Sequence, residues 1–202
     1  MAKAPSASPY VPPAEQGAAY NLISRHVVLQ PVRPPYADYL CERALTGEFF
    51  WQWGGRAESP DAFRDSLWQG VLCQYVAVQR AQNRPMGVVR ATAANFLHGF
   101  AYLSWYFDRE HRLQALPIES IVLFISHLFQ KYGFRNLYGE MLEPHFDLIA
   151  SGEGEFFIVE GRLRGYAFQD GRHVDKVLVT VPRSLWESRA ADLLAMISVG
   201  SL

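Results

Sequence analysis

The alternation of hydrophobic and polar positions predicts ordered strands and helices along most of the chain. A short β-branched segment, His26–Val32, indicates a first strand that prolines close. Apolar residues at helical spacing then predict a helix over Tyr36–Leu45. A second helix follows Ser59, which can cap it, with Pro60 in its first turn and an end near Gly70. The chain is therefore predicted to begin with one strand and two helices.

The middle of the chain changes to a period of two or to continuous apolar runs. These runs predict three adjacent strands over Tyr75–Gln79, Met86–Ala93 and Phe100–Phe107. The connections between them are short enough for antiparallel hairpins. A long amphipathic helix is then predicted over Ile118–Tyr132, followed by a strand over Asn136–Met141.

The residue pattern in the last part of the chain predicts a hairpin and a final helix. Asp170-Gly171 is a strong hairpin signal between apolar runs at Arg162–Phe168 and Val174–Val181. A final helix is predicted over Arg183–Ile197. This order predicts an α/β (α+β) fold with a mixed, mostly antiparallel central sheet of about six to seven strands, flanked by helices.

Composition and charge narrow the classes of function. The chain has 202 residues, of which 50% are hydrophobic, and this is enough to bury the core of one domain. We expect this domain over residues 23–202, after a flexible tail formed by residues 1–22. A formal net charge of -1 gives no field that would attract nucleic acid or a membrane surface. Cys41 and Cys73 lack metal-ligand spacing, so we expect no metal and a reduced, cytoplasmic protein. The sequence shows neither a secretory signal nor an apolar run of about 18 residues that could span a membrane.

The turn before the long helix is the first candidate binding site. Residues 112–117 read Arg-Leu-Gln-Ala-Leu-Pro and lead into the helix predicted from Ile118. The start of a helix exposes unpaired backbone N–H groups and the positive end of its dipole, which together favour an anion. Pro117 has no N–H to contribute, although it suits the first turn of a helix. The turn is therefore a candidate phosphate site that has lost one donor.

Several segments, in their common order, carry a family resemblance. They are Phe107–Arg112, Ile118–Ser120, Phe157–Arg164, Asp170–Arg172 and Leu185–Glu187. The third is similar to a Gly-Phe-x-x-Glu-Gly-x-x-Arg stretch, with a Phe in place of the Gly. Together these segments resemble the GNAT N-acetyltransferase superfamily, in particular its branch of ribosomal-protein alanine acetyltransferases.

The resemblance implies acyl transfer from acetyl-coenzyme A or another acyl-coenzyme A to a small-molecule or peptide amine. In that superfamily the donor lies between two splayed central strands, and a loop patterned Gln/Arg-x-x-Gly-x-Gly/Ala holds its pyrophosphate. The matching cofactor-binding positions are Tyr106, Phe107, Arg112, Leu113, Gln114, Ala115, Leu116 and Pro117. The two small positions of the loop are Ala115 and Pro117, so the donor loop is degenerate. A homodimer is a further expectation for the assembly.

Two alternatives remain open at this point. A donor carried by an acyl carrier protein has a single phosphate, so a weakened pyrophosphate cradle would cost it less. Arg112 and its neighbour Arg109 would meet an acidic carrier as readily as a nucleotide. The other alternative is a catalytically silent GNAT-like protein that binds a ligand or a partner.

The resemblance places candidate catalytic residues at the facing ends of the two central strands. Glu140 is the preferred base, since its carboxylate could take the proton of the amine. Tyr102, on the neighbouring strand, and His145, just beyond Glu140, are further candidates. Ser151 stands where many family members place a tyrosine that protonates the leaving thiolate.

An aromatic loop is the candidate acceptor wall. Phe50, Trp51 and Trp53 fall where the first two helices of the family commonly border the acceptor, and Tyr138 faces the same region from its strand. Large rigid rings suit an apolar or planar acceptor, or a long acyl chain.

Overall fold

Strands and helices alternate through residues 20–46, 59–112 and 115–198, the parts of the chain that a computed structural model describes. The strands are β1 (Leu22–Ile23), β2 (Val27–Pro31), β3 (Val71–Gln79), β4 (Arg84–Asn95), β5 (Phe100–Phe107), β6 (Asn136–Leu142), β7 (Ile158–Gln169) and β8 (Arg172–Pro182). The helices are α1 (Pro34–Leu45), α2 (Pro60–Ser66), α3 (Ala115–Lys131), α4 (Glu143–Phe146) and α5 (Arg183–Ile197). A single 3-10 turn, Ala150–Gly152, lies between α4 and β7.

The strands form one 8-stranded sheet in the order β1-β2-β3-β4-β5-β6-β8-β7. Neighbouring strands run antiparallel except β5 and β6, which are parallel. The predicted mixed, mostly antiparallel sheet flanked by helices is confirmed. The count exceeds the prediction because β1 is a two-residue strand, too short to give a periodic signal.

The helices cover both faces of the sheet. Side chains at odd positions of β5, such as Leu103, join a core with α3 and α5. Side chains at even positions, such as Tyr106, join a second core with α1 and α2. The period of two along β5 therefore separates the α3 face of the sheet from the α1 face.

Several element boundaries differ from the predicted ones. Helix α2 ends at Ser66 rather than near Gly70, and β3 begins directly after this glycine, at Val71. Gly70 has φ 66°, a left-handed conformation that glycine adopts readily and that reverses the chain here. Strand β7 begins at Ile158, four residues earlier than its apolar pattern indicates, because most of its side chains are exposed and carry little periodic signal. The hairpin at Asp170-Gly171 is confirmed, with both residues at positive φ.

The structure also bears on the predicted amino-terminal tail, on membrane-spanning helices and on metal sites. Leu22, the last residue of the predicted flexible tail, pairs with Leu29 as part of β1. No helix within the described residues is long and apolar enough to cross a membrane. In the same residues, no group of His, Cys, Asp and Glu side chains is arranged to hold a metal ion.

Candidate functional site

Strands β5 and β6 pair along only part of their length. Backbone pairing runs from Phe100 with Asn136 to Leu103 with Gly139 and stops there. Beyond that point β5 continues beside β4 as far as Phe107, while β6 continues beside β8 as far as Leu142. The two strands therefore diverge and leave a gap in the middle of the sheet.

Three cavities meet at this gap, and Trp105 lines all of them. The turn cavity has a volume of 370 Å³ and lies beside Phe107, Arg112, Ala115 and Pro117. The gap cavity, of 30 Å³, lies between the diverging strands and is lined by Ser104, Glu140 and His145. The apolar cavity, of 310 Å³, lies on the α3 face and is lined by Leu103, Gly139, Phe157, Val179 and Trp186.

Helix α3 begins at Ala115, three residues before the predicted start. Ala115, Leu116 and Pro117 therefore belong to its first turn, whose N–H groups have no partner within the helix. Pro117 is the third residue of the helix, where a missing N–H removes no intrahelical bond. The N–H groups of Ala115 and Leu116 likewise have no partner within the helix, whereas the N–H of Ile118 is the first that bonds within it. The predicted loop residues Leu113 and Gln114 lie outside the described residues.

Arg112 places a positive charge at the turn cavity. Its Nε donates to the carbonyl oxygen of Phe107 at 2.9 Å. The guanidinium carbon lies 5.5 Å from the centre of the Tyr106 ring, within cation–π range. These two contacts hold the side chain against the end of β5 and beside the start of α3.

Asp108, at the end of β5, is the centre of a largely buried polar network. Its carboxylate accepts hydrogen bonds from Tyr39 at 3.0 Å, Arg43 Nε at 3.1 Å and Tyr106 at 3.1 Å. Burial and the Asp108 charge raise the pKa of Tyr39 far above its usual value, so its hydroxyl stays protonated and donates. The network fastens α1 to the residue from which the turn begins. It also directs the side chain of Tyr106, a predicted cofactor contact, towards the α1 face, and Tyr106 is not among the residues that line the turn cavity.

His145 lines both the turn cavity and the gap cavity. It lies on α4, the short helix that follows β6 directly. Burial, reinforced by the nearby positive charge of Arg112, lowers the pKa of His145 below its ordinary value of 6.5. The imidazole is therefore uncharged at neutral pH and has a ring nitrogen that can accept a proton.

Glu140 lies at the mouth of the gap cavity, in an ion pair. Its Oε2 is 3.0 Å from Nζ of Lys176 on β8, and 42% of its side chain is exposed. Burial acts to lower the pKa of Lys176, but hydrogen bonds to Tyr166 and Glu140 outweigh it and raise the pKa. Lys176 therefore stays charged, and the gap cavity has two candidate bases, Glu140 and His145.

Ser104 and Arg90 form a polar pair at the same gap. Arg90 Nε donates to Oγ of Ser104 at 2.8 Å, and Ser104 lines the gap cavity. Burial lowers the pKa of Arg90 to about 10, which leaves it charged at neutral pH. Arg90 was not among the predicted site residues. The signal that could have identified it is a lone charge within the otherwise uncharged run Met86–Asn95 of β4.

The other predicted site residues lie apart from the gap. Ser151 is exposed on the 3-10 turn and lines the apolar cavity rather than the gap cavity. Tyr102 and Tyr138 pair before the strands diverge, with ring centres 5.6 Å apart. The predicted acceptor residues Phe50, Trp51 and Trp53 lie outside the described residues.

Comparisons with known proteins place this geometry in a fold family. No protein-family model matches the sequence. A GCN5-related N-acetyltransferase from Brucella melitensis is 18% identical over 89% of this chain and 86% of that chain, with a TM-score of 0.67. A ribosomal L7/L12 alpha-N-protein acetyltransferase in complex with coenzyme A is 15% identical over 81% and 98% of the two chains, with a TM-score of 0.65.

A third solved structure contains a polyamine in addition to coenzyme A. Spermidine N-acetyltransferase from Vibrio cholerae, in complex with coenzyme A and spermine, is 16% identical over 80% of this chain and 98% of that chain, with a TM-score of 0.65. At such identities the similarity establishes the fold alone. The protein has the GNAT fold, and the resemblance to that superfamily is confirmed at this level.

Proposed function

We propose that the protein is an N-acyltransferase that moves an acyl group from a coenzyme A thioester to an amine. The observation that carries the proposal is the gap that opens beyond Leu103 and Gly139, directly beside the start of α3 and Arg112. Solved structures with this fold hold coenzyme A, in one case together with a polyamine. The acceptor class is a small-molecule or peptide amine.

The donor would be held by charge at one end and by apolar contact at the other. Its pyrophosphate would lie at the start of α3, where backbone N–H groups, the helix dipole and Arg112 all favour an anion. The pantetheine arm would pass Phe107 and Trp105 in the turn cavity and reach the gap. Beyond Leu103, the edge of β5 that faces β6 has no strand partner, so the backbone N–H groups on that edge can donate to the thioester carbonyl.

Transfer requires an uncharged amine at the gap. The amine nitrogen attacks the thioester carbonyl carbon, the C–N bond forms, the C–S bond breaks, and the leaving thiolate takes up a proton. We propose His145 as the group that removes the amine proton, since its imidazole is uncharged at neutral pH and lines the gap cavity. Glu140 is the second candidate, because its carboxylate borders the same cavity from the α1 face.

The start of α3 at Ala115 bears on the carrier-protein alternative. That alternative was based on the donor lost at Pro117, but a proline in the first helical turn removes no other bond and leaves neighbouring N–H groups available. The reason to prefer a carrier-bound donor over coenzyme A is thereby weakened. A silent binding protein remains the alternative from another class.

Calorimetry with coenzyme A and acetyl-coenzyme A tests the donor. We expect saturable heat near one equivalent, and release of free thiol when a polyamine or an amino-terminal peptide is added. Binding without thiol release for any amine would favour the silent protein. Absence of coenzyme A binding, with binding of an acyl carrier protein, would overturn the proposal in favour of the carrier.

A further inference from the structure

The apolar cavity is far larger than an acetyl group requires. Its volume is 310 Å³, about twice that of an engineered cavity of about 150 Å³ that stays dry and binds benzene. Within the described residues its walls contain no charged side chain; their polar side-chain groups are the hydroxyl of Ser151 and the indole N–H groups of Trp105 and Trp186, of which Nε1 of Trp186 is buried without a hydrogen-bond partner. A water molecule needs two to four polar partners, and these few groups stand in walls that are otherwise apolar. The cavity therefore suits an alkyl group better than water or a polar ligand.

The cavity begins where the reacting end of the donor would lie. Leu103 and Gly139, the last pair before the strands diverge, both line it. Gly139 contributes no side chain to this part of the wall, and a Cβ there would lie 3.1 Å from Cγ2 of Val179, which lines the same cavity. An acyl group joined to the thioester sulfur at the gap would therefore start at the entrance of the apolar cavity.

The cavity lies on the donor side of the sheet. It shares Trp105, Ile118 and Leu148 with the turn cavity. Ile118 and Leu148 are 47% and 48% exposed, so two large apolar residues are open to solvent where the two cavities adjoin. Glu140 and Ser104, by contrast, face the α1 side, from which an amine would approach. The position of the cavity thus favours the donor's tail over the acceptor as its occupant.

We infer that the physiological donor carries a medium-length alkyl chain, whose tail fills the apolar cavity, rather than an acetyl group. This inference rests on the proposed function and specifies its donor. The coenzyme A part would be shared with acetyl donors, and the discrimination would come from apolar contact alone. Each buried methylene should tighten binding about fourfold.

A chain-length series tests the inference on the unmodified protein. Calorimetry compares coenzyme A, acetyl-coenzyme A, hexanoyl-coenzyme A and octanoyl-coenzyme A in the absence of an amine. We expect hexanoyl-coenzyme A to bind at least about tenfold more tightly than acetyl-coenzyme A. Equal affinities across the series would overturn the inference and leave the proposed function standing. If neither coenzyme A nor any of its thioesters binds, both the inference and the proposed function are overturned.

A matched pair of variants locates the tail. Leu193 on α5 lines the apolar cavity, whereas its neighbour Leu194 faces the cavity beside Phe129 instead. L193W should abolish the preference for hexanoyl-coenzyme A and leave coenzyme A binding unchanged, while L194W should keep the preference. A folded L193W protein that retains the full preference would contradict the inference. If L193W does not fold, the chain-length series on the unmodified protein decides alone.

Discussion

Leu103 and Gly139 are the last residues at which β5 and β6 pair, and each lines the apolar cavity that opens beside them. The same pair marks the place where a parallel ladder gives way to a gap that connects both faces of the sheet. Leu103 also lines the gap cavity, so the site proposed for acyl transfer and the site proposed for the acyl tail meet at one point. The catalytic and specificity proposals therefore depend on the same local departure from regular sheet structure.

The first prediction concerns Arg112. Arg112→Ala removes a guanidinium at the start of α3, so we expect coenzyme A to bind about tenfold to a hundredfold more weakly, the range for one lost charge-assisted hydrogen bond. Calorimetry measures the affinity. Arg109→Ala is the matched control, because Arg109 is exposed on the same turn but does not line the turn cavity. Equal binding by both variants would contradict the proposed donor position.

The second prediction separates the two candidate bases. His145→Gln should lower kcat about a hundredfold, within the range for loss of a general base. Because burial and the charge of Arg112 lower the pKa of His145 below its ordinary value, the wild-type rate should fall in acid with a midpoint below pH 6.5. Glu140→Gln should lower kcat much less than His145→Gln does, and the rate of this variant should still decline in acid as that of the wild type does. The opposite result in pH–rate measurements would assign the base to Glu140.

The third prediction concerns the network at the end of β5. Asp108→Ala leaves Arg43, Tyr39 and Tyr106 without their shared acceptor, so we expect a loss of about 3 kcal/mol in the free energy of unfolding. Urea denaturation measures it. Asp38→Ala is the control, since its ion pair with Arg64 is exposed on both sides and should contribute far less to stability. Similar losses in the two variants would show that the network adds little stability.

The fourth prediction concerns stability in acid. Burial, with a smaller effect of Lys131, lowers the pKa of His127 to about 4, whereas the unfolded chain has the ordinary value of 6.5. The unfolded state therefore binds the extra proton between these values, so stability is complete above pH 6.5 and falls as the pH drops towards 4. The loss should approach about 3 kcal/mol.

Urea denaturation of His127→Gln between pH 7 and pH 4 checks this effect. The variant keeps a polar group near the hydroxyl of Tyr75, which lies 3.3 Å from Nε2 of His127. We expect a flatter dependence on pH in this variant than in the wild type. His173→Gln changes an exposed histidine and should leave the wild-type dependence intact. If the free energy of unfolding of His127→Gln depends on pH as steeply as that of the wild type, His127 is not the source of the acid sensitivity.

Local sequence patterns predicted most of the elements but not their meeting points. The period of two identified β5 and β6, and Asp170-Gly171 identified the last hairpin, because these signals lie within a few residues of chain. The start of α3 was predicted too late because Pro117 is compatible with any position of the first turn. Arg90 was missed, since its role depends on Ser104 of the neighbouring strand.

The sequence by itself determined which residues share one face of a strand or helix and where the chain reverses. It also identified a candidate anion site at the start of α3. The tertiary structure alone decided that β5 and β6 part beyond Leu103 and Gly139, and that His145 shares a cavity with Arg112. It also separated Ser151 from the gap and revealed the apolar cavity. The physical reason is one of range: periodicity reports which face a side chain takes on its own element, whereas strand divergence and cavities arise from packing between residues far apart in the chain.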